Sequence, residues 1–114
     1  MGNHVRRELA QTLFQCAASC ELALQEYVSR FGVPVEQELF RELIPAIATV
    51  RTAADVLQDQ AKRGLSLRLA RDACNRAAIE CRRYGFDEPL LRCAAACDLA
   101  VTEIELLLTC LCHD

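Results

Sequence analysis

Residues 67–104 read LRLARDACNRAAIECRRYGFDEPLLRCAAACDLAVTEI. Two helical runs flank a turn at Gly85-Phe86-Asp87. Along the first, Leu67, Ala70, Cys74, Ala77 and Cys81 return at steps of three and four. Leu90, Cys93, Cys97, Ala100 and Ile104 do the same along the second. That spacing keeps each set on one inward face of a helix. The stretch is therefore a helical hairpin, and four of the chain's eight cysteines lie on its inner seam.

The rest of the chain extends the pattern. A first helix is predicted over residues 4–31, with a seam of Leu9, Leu13, Cys16, Cys20, Ala23 and Tyr27. Gly32 stops it and Pro34 opens the next segment. A second helix is predicted over residues 35–63, with Leu39, Leu43, Ile47, Val50, Ala54, Leu57 and Ala61 on its apolar face and Gly64 closing it. Pro45 lies inside that run and should kink or split it. The third helix is expected over residues 66–84 with Ser66 as N-cap, and the fourth from an Asp87 N-cap to Cys112. Short connections make successive helices antiparallel neighbours. The expected fold is all-α, an antiparallel up-down-up-down four-helix bundle, as one domain over residues 1–114.

Composition agrees with helices and excludes several function classes. Hydrophobic residues make up 53% of the chain but aromatic ones only 5%, so the core is built from Leu, Ala, Val, Ile and Cys, which suits close helix packing. Net charge is −3 and the basic residues, all Arg except Lys62, are scattered, which argues against nucleic acid as a partner. No apolar run reaches the length that spans a bilayer, and the first residues lack the apolar core of a secretory signal. A soluble cytoplasmic protein is expected. There thiols stay reduced, and cysteine richness points to metal chemistry or to packing more than to disulfides. No phosphate loop, HExxH or nucleophile elbow is present, so an enzyme is not expected. Glu38, Glu42, Asp55, Asp59 and Glu103 read as surface charges.

Level counting brings the cysteines together. Matching Phe31 with Tyr84, an offset of 53 residues, sets Cys20 beside Cys74. Cys93 then falls near Cys81, and Cys97 between Cys74 and Cys81. Cys20, Cys74, Cys81, Cys93 and Cys97 should converge on the bundle axis, with Cys16 peripheral, one turn further out. Soft thiolates select Cu(I), Zn(II) or iron–sulfur clusters. Cysteines four apart on one helix are stacked neighbours and can share an ion. Two- or three-coordinate Cu(I) fits ligands drawn from straight helices; a tetrahedral zinc site needs four convergent groups, and no CxxC suggests a cluster. The competing reading is that these thiols are small hydrophobes filling the core of a scaffold or interaction bundle, since Ala23, Ala70, Ala77 and Ala100 hold equivalent positions. His4, Cys110, Cys112 and His113 gather at the end where the termini meet and read as terminal residues rather than ligands.

The segments CNRAAIECRRYGFDEPLLRCAAAC (74–97) and QCAASCELA (15–23) resemble the cysteine-rich four-helix-bundle copper-storage proteins. The resemblance implies a cysteine-lined core that binds Cu(I) through thiolates, a homotetramer, and a cytosolic location for members without a signal peptide. By the same resemblance Cys16, Cys20, Cys74, Cys81, Cys93 and Cys97 are the metal ligands. Leu9, Leu13, Ala23, Leu67, Ala70, Ala77, Leu90, Ala100 and Ile104 stand where typical members carry further Cys, and the second helix has none. The implied function is storage-like binding of a few copper ions.

Overall fold

A computed structural model describes residues 3–32 and 38–112, and the side chains of residues 4–32 and 38–109. Four helices account for most of it: α1 (Asn3–Phe31), α2 (Glu38–Asp55), α3 (Arg63–Arg82) and α4 (Glu88–Cys112). No strand occurs among the described residues. The all-α expectation holds.

Each helix packs on two others, closing a ring in the order α1, α2, α3, α4. The result is a rod of 47 × 20 × 18 Å. Its long dimension matches α1, since 29 residues rising about 1.5 Å each span about 44 Å. Contacts run in opposite order along neighbours. On α1 and α4, Cys16 meets Cys97 and Cys20 meets Cys93. Arg51 of α2 meets Glu21 of α1, and Gln58, in the turn after α2, meets Arg6 near the start of α1. The seams read from the sequence are the core. Leu9, Leu13, Cys16, Cys20 and Ala23 are buried on α1, Leu39, Leu43, Val50 and Ala54 on α2, Leu67 to Cys81 on α3, and Leu90 to Ile104 on α4.

The turns decide where helices stop. Gly32 takes φ +75, which a glycine adopts without steric cost, and its N–H donates to the Val28 carbonyl at 2.8 Å. That is the expected stop of α1. Pro34 and the start of the predicted second helix lie outside the described residues. The chain continues through Pro45 as one helix, so it is not split there.

The far end of α2 departs from expectation. The helix closes at Asp55, eight residues before the predicted end, and Gly64 lies inside α3. Asp59 explains the difference. Its Oδ1 accepts from Ala61 N–H at 3.0 Å and Lys62 N–H at 3.3 Å, and its carbonyl accepts from Arg63 N–H at 2.9 Å. A short acidic side chain hooked onto the next amides competes with helix continuation. Ala61, predicted apolar-facing, is exposed, while Leu57 stays buried in the turn. Ser66 is not a cap either. Its N–H donates to the Lys62 carbonyl, placing it in the first turn of α3.

The turn before α4 is as expected and does more. Asp87 caps the helix, its Oδ1 accepting from Leu90 N–H at 3.0 Å. Asp87 is also fully buried, and its Oδ2 accepts from Arg30 Nη2 on α1 at 2.8 Å. This ion pair fixes the register of α1 against α4. Ten residues back from Arg30 and ten forward from Asp87 stand Cys20 and Cys97.

Candidate metal centre

Six cysteines are buried and carry free thiols: Cys16, Cys20, Cys74, Cys81, Cys93 and Cys97. Five of them form two triads. Cys16, Cys74 and Cys97 have their Sγ atoms within 4.8 Å of one another, and so do Cys20, Cys93 and Cys97. The separations are 3.9 Å for Cys16–Cys74, 3.7 Å for Cys16–Cys97, 3.7 Å for Cys20–Cys97 and 3.0 Å for Cys20–Cys93. Cys97 belongs to both triads.

The register differs from simple level counting. Cys16, expected at the periphery, is central, and its partner on α3 is Cys74, 58 residues on. The cause is visible at the bundle end. The Tyr84 ring packs edge-on against Tyr27, with centroids 5.8 Å apart, so Tyr84 stands level with Tyr27 and not with Phe31 one turn further along. Shifting α3 by that turn moves Cys74 from Cys20 to Cys16. The same shift separates the CxxxC pair of α1, since Cys16 and Cys20 fall in different triads, while Cys93 and Cys97 of α4 share one. Cys81 is fully buried with its thiol beside that of Cys93, and it joins neither triad.

Ligand chemistry at both triads is sulfur alone. Among the described residues no histidine or carboxylate joins either group. Nor is any Lys, Arg or His among the buried residues described; the buried charged residues are Glu80 and Asp87. The thiols perturb each other strongly. Hydrogen bonds from Cys16, then from Cys20, Cys74 and Cys93, hold Cys97 below the ordinary thiol range. Cys20 is pushed far up, first by its hydrogen bond with Cys16, then by Cys93, Cys97 and burial. Cys74 is pushed up likewise, first by Cys16 and then by Cys97 and burial.

The set fits a soft, low-coordinate ion. A thiolate–metal bond of about 2.3 Å, the zinc value, gives a planar three-sulfur site edges of about 4.0 Å. Three of the observed separations, 3.7 to 3.9 Å, lie close to that. α2 supplies no sulfur: where Arg51 pairs with Glu21 beside Cys20, its buried residues are Val50, Ala53 and Ala54.

Other residues singled out in the sequence lie away from the triads. His4 is exposed and 3.3 Å from Glu8. The side chains of Cys110 and Cys112, and all of His113, fall outside the described residues. Glu103 is not the plain surface charge expected, because its Oε2 is buried without a hydrogen-bond partner among the described residues. Sequence reading found Asp87 as a cap but missed its ion pair with Arg30.

Among the described residues, no helix is long and apolar enough to cross a membrane. Comparisons with curated proteins and with solved structures give no match. The family model described as copper storage protein matches residues 2–108, almost the whole chain. With four helices around buried thiol triads, the chain belongs to the copper storage protein family.

Proposed function

We propose that this protein holds a few Cu(I) ions as cargo in the bundle core, in the cytoplasm, as a binding protein and not an enzyme. The observation that carries the reading is the pair of buried all-sulfur triads, Cys16/Cys74/Cys97 and Cys20/Cys93/Cys97. Cys81, beside Cys93, is the sixth ligand candidate. Three soft donors suit Cu(I), whereas structural zinc takes four. Charge supports the same ion. A thiolate in an apolar core with no buried cation is costly unless compensated. A monovalent ion that replaces a thiol proton leaves that balance unchanged, and binding should release protons. Six unpaired thiols also fit a compartment that keeps cysteines reduced.

We further propose a homo-oligomer, a tetramer as the family resemblance suggests. Exposed Phe14, Leu99 and Leu106 offer apolar surface for subunit contacts. Sedimentation of the reduced protein tests this, and a monomer at all concentrations would refute it.

Titration with Cu(I) against a competing chelator tests the copper reading. Wild-type protein should withdraw copper at sub-micromolar free metal, and variants lacking triad cysteines should lose capacity. No copper bound under those conditions would leave the thiols as core packing in a scaffold of the same fold.

A further inference from the structure

We propose that Cys20 and Cys93 are a peroxide-oxidisable pair, and that their disulfide takes one of the two triads out of metal binding. The disulfide stands on geometry; its effect on cargo rests on the copper reading above. Of the four sulfur separations measured in the triads, Cys20–Cys93 is the shortest, at 3.0 Å, and the others are 3.7 to 3.9 Å. A disulfide bond is about 2.05 Å long, so this pair has to close about 1 Å and the others about 1.7 Å or more. The two cysteines sit on neighbouring helices, α1 and α4, whose register the Arg30–Asp87 pair fixes. A small side-chain movement therefore joins them, with no shift of a helix.

Burial selects the oxidant. Cys20 is 1% exposed and Cys93 0%. A bulky disulfide such as oxidised glutathione does not reach them in the folded bundle, whereas hydrogen peroxide is close to water in size and enters as the helices open locally. The step balances on peroxide alone. One sulfur attacks the peroxide: an S–O bond forms, the O–O bond breaks, and the thiol proton leaves with the departing oxygen as water. The neighbouring sulfur then displaces the sulfenic oxygen. The S–S bond forms, the S–O bond breaks, and a second water leaves. Two electrons pass from the thiol pair to the peroxide. In a reducing compartment such a disulfide is transient and redox-sensing rather than structural. Its consequence follows from the membership of the triads. Cys97 alone remains of Cys20/Cys93/Cys97, while Cys16/Cys74/Cys97 keeps all three sulfurs. Oxidation removes one metal site and spares the other.

The test uses full-length, metal-free protein carrying Cys110→Ser and Cys112→Ser, which leaves the six buried thiols. Hydrogen peroxide should lower the free-thiol count, read after denaturation, from six to four. Fragmentation mass spectrometry of a non-reducing digest should show Cys20 joined to Cys93. Oxidised glutathione should leave all six thiols free, and Cys74→Ser should still form the bond with peroxide. Survival of all six thiols in peroxide, sulfinic acids without a disulfide, or a disulfide joining any other pair would overturn the proposal. The digest decides this without the Cys74 variant if that does not fold. Chelator competition with Cu(I), without thiol reductant, then compares the reduced and oxidised forms. The oxidised form should hold less copper, and undiminished copper would overturn the loss of the triad. No copper uptake by the reduced form would overturn the copper reading and the effect on cargo with it, while the thiol count judges the disulfide separately.

Discussion

Asp87→Ala isolates the contact that sets the α1–α4 register. Two interactions are lost. Asp87 Oδ1 caps α4 through Leu90 N–H, and removing an N-cap costs about 1 kcal/mol. Asp87 Oδ2 holds Arg30, whose side chain is 45% exposed, so solvent screening limits that pair to about 0.5–1 kcal/mol. Arg30 can turn to water and leaves no stranded charge. The total is about 2 kcal/mol, which for a domain of this size lowers Tm by about 8 °C. Asp87→Asn is the internal control. Asparagine caps nearly as well as aspartate, so it should lose only the charge and show about half the shift. The assay is thermal unfolding of reduced, metal-free protein followed by far-ultraviolet circular dichroism. A shift under about 2 °C for Asp87→Ala, or equal shifts for Asn and Ala, would refute the division into cap and ion pair.

Other outcomes follow from the core and the turns. Replacing Cys20, Cys74 and Cys97 together by Ala should cost the metal-free protein about 3 kcal/mol, about one per buried sulfur, and abolish the rise in Tm on adding Cu(I); differential scanning calorimetry with and without copper reads both. Raising pH should destabilise the metal-free protein above the ordinary thiol value of 9.0. There the unfolded chain releases protons that folded Cys20 and Cys74, both pushed up, retain; this stabilisation is complete below 9.0 and declines above it, as urea midpoints at stepped pH would show. Pro45→Ala should raise Tm, because it restores a helical N–H to the exposed middle of α2 and removes a helix cost of up to about 3 kcal/mol; a melt at or below wild type would contradict this.

The sequence made the seams legible because helical periodicity is local. Steps of three and four place Leu67, Cys74 and Cys81, or Cys93 and Cys97, on one face whatever lies opposite, and all of them are buried. Gly32 and Asp87 were legible for the same reason, each acting within a few residues of itself. Register between helices is not local. It depends on which rings meet at a bundle end, and the packing of Tyr84 on Tyr27 moved Cys16 from the edge of the site to its centre. The end of α2 failed for another reason. Leu57 and Ala61 keep the apolar rhythm going, while the stop lies in hydrogen bonds that Asp59 accepts from the Ala61 and Lys62 amides, which periodicity does not register. The Arg30–Asp87 pair joins residues 57 apart and had no sequence signal.

The alanines on the seams carry a consequence for how such a protein changes over time. Ala23, Ala70, Ala77 and Ala100 are at most 1% exposed and sit on the same inner faces as the cysteines. Alanine and cysteine differ by one sulfur, both are small, and both suit closely packed helices. Exchange at these positions adds or removes a donor while the backbone, the turns and the Leu-rich ends keep their roles. Ligand number is thereby separable from folding. A bundle of this kind can change its metal capacity by single substitutions that keep the architecture, at a cost of about 1 kcal/mol for each buried sulfur removed.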